Sequence, residues 1–230
     1  MRYLGAYRSF FESPKWAMHL LIGAGCQFVP IAGPLVLMGY IYNVIEAKHR
    51  HGDDQFPDFD LDRLGAYLIR GVWPFLVALV AALPLFVLIV PAFLVIALLQ
   101  AGSAQRGDPP TFTIALFVAG ALAFTFLGFV WNFVTMPIML RAGLSQDFST
   151  AFSMEFVRSF LSLVWKEWAL SIVFFLFTAP FVMLAGLLLF CIGIYPAAVV
   201  MTFAQFHMQY QLYELYLQRG GTPIPLKEHQ

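Results

Sequence analysis

The stretch that decides the fold is CQFVPIAGP, residues 26–34, which continues as LVLMGY to residue 40. It is apolar enough for a membrane. However, Pro30, Gly33 and Pro34 prevent one straight helix from running through it, because proline lacks a backbone N–H and glycine weakens a helix. We therefore predict two helices, at residues 14–29 and 34–47, separated by a structural break. Whether that break is a hairpin tip or a kink decides how often the chain crosses the membrane.

The composition indicates a membrane protein. Of the 230 residues, 60% are hydrophobic and 11% are charged, whereas a soluble domain has about 25% charged residues. The 13 basic and 13 acidic residues give a net charge of zero, which argues against a nucleic-acid partner. The two cysteines form no CxxC pair, so no disulfide framework is indicated. The first apolar run is typical of a membrane anchor that is retained in the mature protein.

The sequence pattern of the rest of the chain predicts four more membrane spans and two helices on the membrane surface. Residues 169–218 are too long for one span, and Gly193 and Pro196 mark the break. Segments 60–70 and 147–167 place their apolar residues on one face, which favours interfacial helices. We predict spans at 71–99, 112–140, 169–191 and 196–217. The expected helix caps are Ser13 for the first helix, Asp58 or Asp60 for segment 60–70, and Asp147 for segment 147–167.

The distribution of lysine and arginine selects the topology. If residues 30–34 are a hairpin tip, Arg106 alone lies on one side of the membrane and the other twelve of the 13 basic residues lie on the opposite side. If both breaks were kinks, the same residues would divide almost evenly. Basic residues concentrate in cytoplasmic loops, so we predict six membrane helices in one all-α domain, 1–230. It is then a multi-pass protein of the cell (inner) membrane with both termini in the cytoplasm.

Four short motifs follow one another in the first third of the chain. They are Pro30-x-x-Gly33-Pro34, Gly39-Tyr40, Pro57-Asp58-Phe59-Asp60 and Arg70-Gly71. Their order resembles a prokaryotic family of multi-span membrane proteins catalogued only as a domain of unknown function. Phe56 and Phe59 stand where that family more often has leucine and tryptophan. The resemblance is strongest over residues 16–75 and implies a polytopic cell-membrane protein, without a known substrate, cofactor or catalytic residue.

The last predicted helix carries a line of polar residues on one face. Its members are His207, Gln211, Glu214 and Gln218, and Asn43 is expected at a similar depth on the second helix. Polar residues in a membrane helix face the bundle interior or a water-filled cavity. Two interpretations stay open: a polar cavity that binds a solute or lipid headgroup, or hydrogen bonding between helices.

Other candidate sites are weaker. His49 and His51 precede Asp53 and Asp54, but a His-x-His pair alone does not define a metal site, and we predict none. Cys26 and Cys191 lie near the two tips, where a disulfide is conceivable and buried thiols are favoured. The sequence has no GxSxG, P-loop, HExxH or dinucleotide fingerprint, and we expect no charged residue deep in a span. We therefore predict no enzyme and no cofactor.

Two functions remain. The first is a structural or interaction role, as an accessory subunit of a membrane assembly or an organiser of the inner leaflet. The short hairpin and an alanine stripe (Ala115, Ala119 and Ala123) support it, because small residues let another helix approach closely. The second is a carrier or channel for a lipid or small apolar solute. Expected partners are membrane lipids, another membrane protein or a second copy of the chain.

Overall fold

The computed structural model describes residues 1–52, 56–106, 110–189 and 192–227, and every regular element in these ranges is helical. The predicted all-α class is confirmed. The elements comprise eight α-helices and one turn of 3₁₀-helix, η1. In chain order they are α1 (Tyr3–Phe11), α2 (Trp16–Cys26), α3 (Ala32–His51), η1 (Leu61–Arg63), α4 (Leu64–Arg106), α5 (Pro110–Ser145), α6 (Phe148–Ala151), α7 (Met154–Leu188) and α8 (Ile194–Gln218).

The N-terminal region differs from the prediction. Helix α1 was not predicted, and α2 has only 11 residues. The prediction that Ser13 caps this helix is wrong, because the N-cap position is Lys15. Ser13 is instead buried, and its hydroxyl lies 3.3 Å from Nδ1 of His19. Helix α3 is longer than predicted and continues to His51, so it carries the polar residues 48–51 as well as the apolar ones.

The structure also differs from the two predicted interfacial helices. Segment 60–70 continues without interruption into α4, and most of segment 147–167 continues into α7. A change from an amphipathic to an apolar side-chain pattern does not interrupt backbone hydrogen bonding, so one helix carries both patterns. In the second segment Phe156 and Phe160 are buried, and their rings lie 5.6 and 5.1 Å from that of Tyr216 in α8.

Three helices in the described part of the chain are long and apolar enough to cross a membrane. They are Leu61–Ser103, Ile114–Ser145 and Met154–Leu188, and a span needs about 20 apolar residues. Three of the six predicted spans therefore have the required length and composition. Large apolar side chains on these helices are exposed, including Val87, Phe126 and Phe181. A surface of this kind needs lipid or protein to cover it.

The chain divides into two compact units, and unit 2 is residues Ala78–Thr135. Unit 1 comprises Met1–Val77 and Met136–Gln230, and it is built around α8, which contacts α1, α2, α3 and α7. One face of the centre of α8 is fully buried, with Ala204, Met208, Leu212 and Tyr213 at zero exposure. Unit 2 contains α4 from Ala78 to the end of the helix, and most of α5.

Two glycines allow α3 and α4 to cross with their backbones in contact. A Cβ added at Gly39 would overlap the carbonyl oxygen of Tyr67, and one added at Gly71 would overlap the carbonyl oxygen of Leu35. Small residues at a crossing are how membrane helices approach closely. These are the glycines of the Gly39-Tyr40 and Arg70-Gly71 motifs, so both motifs have a packing role.

The predicted break at residues 30–34 is a tight tip between α2 and α3. The N–H of Ala32 donates to the carbonyl of Pro30 at 2.7 Å, and Ile31 between them has φ 64° and ψ −61°. These are the angles of a classic γ-turn, which is strained for a β-branched residue. Gly33 and Pro34 lie in the first turn of α3.

The tip before α8 has similar parts, with Gly193 at the N-cap and Pro196 in the first turn. The two tips contact each other: Nε2 of Gln27 donates to the carbonyl of Tyr195 at 3.0 Å, and the rings of Phe28 and Tyr195 lie 4.5 Å apart. The breaks predicted from proline and glycine are therefore also where the two helical pairs of unit 1 meet.

The glycine crossing predicts a large difference between two alanine substitutions in α4. Gly71→Ala should destabilise the protein by about 1–3 kcal/mol, because the new Cβ forces α3 and α4 apart. Gly65→Ala, whose Cβ meets nothing within 4 Å, should be neutral or stabilising by up to about 1 kcal/mol through helix propensity. Thermal unfolding in detergent, followed by circular dichroism, measures both. Equal effects of the two substitutions would contradict the crossing.

Candidate functional site

Residues of two sequence motifs, Gly39-Tyr40 and Pro57-Asp58-Phe59-Asp60, meet at Tyr40. Its hydroxyl donates to the carbonyl of Pro57 at 2.8 Å, and its ring meets the rings of Phe59 and Tyr67 edge-on at 4.9 and 5.5 Å. The backbone N–H of Phe59 lies 3.4 Å from Nε2 of His19. These contacts join α2, α3 and the start of α4 through buried aromatic rings. The motif thus holds the segment before α4 in place.

A buried ion pair lies one helical turn beyond this cluster. Nη2 of Arg70 is 2.6 Å from Oε2 of Glu46, and the two residues are only 3% and 4% exposed. Nη1 of Arg70 donates to Oδ1 of Asn43 at 3.5 Å, and Nε and Nη2 of Arg50 both reach Oε1 of Glu46 at 2.9 Å. One carboxylate therefore faces two guanidinium groups.

The ion pair includes a residue near the start of a candidate span. Arg70 belongs to the candidate span Leu61–Ser103 and is almost completely buried. The sequence held one signal for it, since Asn43, Glu46 and Arg50 follow one another at helical spacing. Their partner Arg70 could not be identified, because only the crossing at Gly39 and Gly71 brings it to them.

The polar line on α8 makes contacts within unit 1. Oε1 of Gln211 accepts from the backbone N–H of Arg2 at 2.8 Å, and Nε2 of Gln211 donates to the carbonyl of Arg2 at 3.3 Å. Oε1 of Glu214 lies 2.6 Å from Nδ1 of His49. Gln218 is exposed at the end of the helix. Two members of the line thus tie α8 to α1 and α3, as the hydrogen-bonding interpretation expects.

The cavity beside His207 is very small. Its volume is about 20 Å³, and its lining includes Ser9, Lys48, Phe56, His207 and Tyr210. A cavity needs about 10–15 Å³ to hold a single water molecule. His207 is buried next to Tyr210, with their rings 5.9 Å apart. This space accommodates one water molecule and is too small for a solute or a lipid headgroup.

The three candidate capping aspartates have different roles. Asp60 accepts a hydrogen bond from the N–H of Asp62 at 2.9 Å and caps η1. Asp147 caps α6 by accepting from the N–H groups of Ser149 and Thr150. The hydrogen bond from the Ser149 hydroxyl is the main reason why the pKa of Asp147 lies below its ordinary value, and the backbone N–H of Ser149 lowers it further. Asp58 is not a cap: its Oδ2 lies 2.5 Å from Nζ of Lys15.

Some residues of the possible metal site and of the possible disulfide lie outside the described ranges. Within those ranges, no group of three histidine, cysteine, aspartate or glutamate side chains is placed to hold a metal ion. His49 contacts Glu214, and His51 is exposed and lies 3.3 Å from the carbonyl of Ala47. Asp53, Asp54 and Cys191 lie outside the described residues, so the pairing of Cys26 with Cys191 stays a hypothesis.

Unit 2 contains an apolar groove between α4 and α5, which the sequence did not indicate. Its volume is about 380 Å³, within the range of small-molecule sites. One polar side chain, that of Gln100, lies on its wall; the other lining residues are aliphatic or aromatic side chains and glycine, among them Ile96, Phe117 and Gly120. Ala115, Ala119 and Ala123 of the alanine stripe are all exposed, and Ala123 also lines the groove. The groove suits a hydrocarbon, since burying a polar ligand there would cost hydrogen bonds.

The buried ion pair predicts strongly unequal effects in a double-substitution cycle. Glu46→Leu should cost about 3–5 kcal/mol of stability, because it leaves Arg70 buried without a counter-charge. The double variant Glu46→Leu/Arg70→Met should be closer to the unsubstituted protein than Glu46→Leu alone, since both buried charges are removed together. Thermal unfolding in detergent provides the comparison.

The exposed ion pair between Arg8 and Glu12 is the matched control. Its atoms are 2.9 Å apart and its side chains are 81% and 60% exposed, so Glu12→Ala should cost at most about 1 kcal/mol. If Glu46→Leu were as mild as Glu12→Ala, Glu46 and Arg70 would not form a buried pair in the folded protein.

Comparisons with known proteins connect this chain to a family. No curated protein and no solved structure matches the chain. One family, described as protein of unknown function DUF4013, matches residues 22–205, which include the motif residues, the glycine crossing, the buried ion pair and the first half of α8. The chain therefore belongs to the DUF4013 family of proteins of unknown function.

Proposed function

We propose that the protein is a non-catalytic structural subunit of a cell-membrane assembly, which binds a partner through the apolar surface of unit 2. One observation carries the proposal. The polar side chains that could bind a solute contact other parts of unit 1, while the described part of unit 2 presents apolar side chains outward. Such a surface is suited to lipid tails and to other membrane helices.

The exposed alanines of α5 support a protein partner. Ala115 and Ala119 lie one helical turn apart on the surface, and small residues at four-residue spacing allow a second helix to pack closely in lipid. Close packing matters there because hydrophobic burial gives little driving force between helices that lipid already covers. The partner is another membrane protein with a complementary helix face, or a second copy of this chain.

Substitution of one alanine tests this role. The protein extracted gently from its own membrane should retain a stoichiometric partner in native mass spectrometry. Ala119→Phe should abolish that association, because the bulky ring prevents the helices from approaching. Circular dichroism should show that the variant stays folded, since Ala119 is exposed.

Ile114→Phe is the matched control, because Ile114 is also exposed on α5 but faces a different direction from the alanine stripe. It should retain the partner. A monomer that carries no partner from its own membrane would overturn the proposed role. Equal loss of the partner in both variants would show that the alanine stripe is not the interface.

A second candidate function, a carrier for a lipid or small apolar solute, is favoured by the apolar groove of unit 2. A groove of about 380 Å³ is large enough for a ligand, unlike the cavity beside His207. Gly120 lines this groove, where an added Cβ would lie 3.0 Å from Cδ1 of Ile96. A larger side chain at this position would fill the space.

The groove predicts opposite results for two glycine substitutions in α5. Gly120→Leu should reduce binding of a fluorescent fatty acyl probe at least severalfold, because leucine occupies the groove. Gly128→Leu should leave binding unchanged, since Gly128 is exposed and its Cβ would meet nothing within 4 Å. Probe fluorescence with purified protein in detergent measures both. Unchanged binding in Gly120→Leu, or no binding by the unsubstituted protein, would rule out this candidate.

A further inference from the structure

A second concavity lies on unit 1 where α7 approaches the end of α8. Its volume is about 360 Å³, which is within the size range of ligand sites. It is lined by Ser162, Leu163, Trp165, Lys166, Glu167 and Arg219. We call it the Arg219 concavity. It contains none of the residues of the ion pair, the α8 polar line or the apolar groove.

The Arg219 concavity lies at the boundary between the charged and the apolar parts of α7. Lys166 and Glu167 are the last charged residues of this helix, and the sequence from Trp168 to Leu188 has none. Beyond these two residues the exposed side chains of α7 include the apolar Leu170, Val173 and Leu176. Trp165 is 51% exposed, and tryptophan is enriched where the hydrocarbon of a membrane meets water. The concavity is therefore at the level expected for lipid headgroups.

The guanidinium of Arg219 is held in a fixed position. Its Nη2 lies 2.5 Å from Oε1 of Glu167, its Nη1 lies 3.0 Å from Oε2, and Nη1 also donates to the carbonyl of Leu163. Nε of Arg219 takes part in none of these bonds. A planar guanidinium fixed by a bidentate carboxylate is preorganised to donate its two remaining N–H groups, on Nε and Nη2, to phosphate oxygens.

Lys166 supplies the excess positive charge. Its Nζ lies 5.9 Å from the ring centroid of Trp165, and it pairs with no carboxylate in the described part of the chain. Two cations and one carboxylate line the concavity, so its net charge is positive. Lysine at the boundary of the bilayer is attracted to anionic lipids.

We infer that the Arg219 concavity binds the phosphate of an anionic phospholipid headgroup. Lys166 and Nε–H of Arg219 contact the phosphate oxygens, and the indole of Trp165 packs against the glycerol and the start of the acyl chains. Glu167 positions Arg219 and does not contact the lipid. The inference depends on membrane association and is independent of the partner and the groove proposed for unit 2.

Native mass spectrometry with the full-length protein tests the site. The delipidated protein is titrated with phosphatidylglycerol, with phosphatidylcholine and with inorganic phosphate alone. We expect phosphatidylglycerol to bind most tightly. Lys166→Gln should weaken this binding about fivefold, as expected for one basic residue next to an anionic lipid. Lys166→Arg should restore it.

Arg158→Gln is the matched control, because Arg158 is an exposed basic residue of α7 outside the concavity. It should bind phosphatidylglycerol like the unsubstituted protein. Equal weakening in Lys166→Gln and Arg158→Gln would show only diffuse charge attraction and would overturn the site. Equal affinity for phosphatidylcholine would overturn it as well. If inorganic phosphate displaced the lipid at equal concentration, the site would bind free anions and the lipid assignment would be wrong.

Discussion

The close crossing of α3 and α4 is the constraint on which unit 1 depends. Gly39 and Gly71 bring the two backbones into contact, and no residue with a Cβ fits at either position. The residues beside these glycines then face each other. The ring of Tyr40 contacts that of Tyr67, and the guanidinium of Arg70 reaches the carboxylate of Glu46. The absence of a Cβ at Gly39 and Gly71 thus permits both the aromatic cluster and the buried ion pair.

The ion pair requires a defined register of α3 and α4 at their crossing. Removing two charges from water costs several kcal/mol per ion, and only good geometry with further hydrogen bonds compensates for this. Arg50 and Asn43 supply those additional contacts to Glu46 and Arg70. A shift of α4 along α3 would separate the charges without returning them to water. The pair therefore favours one register of the two helices over its neighbours.

The two units differ in what they present to their surroundings. In unit 1, polar side chains connect helices, as when Gln211 binds the N-terminal backbone and Glu214 contacts His49. In unit 2, the described surface and the groove are almost entirely apolar. This separation supports a protein whose partners are lipids and other membrane helices. The Arg219 concavity, for which we propose a lipid headgroup, lies where the charged part of α7 meets its apolar part.

Much of the architecture could be predicted from local sequence. Charge depletion indicated a membrane protein, and the proline and glycine positions marked the turns after α2 and before α8, because backbone chemistry acts on the chain locally. Helix ends were less accurate: α1 was missed, and both predicted interfacial segments belong to longer helices. Hydrophobic pattern reports which face is buried, but it does not report where a continuous helix stops.

The candidate sites, in contrast, could be predicted only in small part from the sequence. The sequence identified His207, Gln211 and Glu214 as one helix face. Only the packed structure showed that Gln211 and Glu214 contact α1 and α3, and that the cavity beside His207 is no larger than one water molecule requires. The sequence did not show that Glu46 pairs with Arg70, or that Lys166 and Arg219 line one concavity. The sequence by itself determined the class of the protein, its turns and its helix faces, because these follow from neighbouring residues. The tertiary structure decided which polar groups meet, because such contacts join residues far apart in the chain and depend on how closely the helices approach.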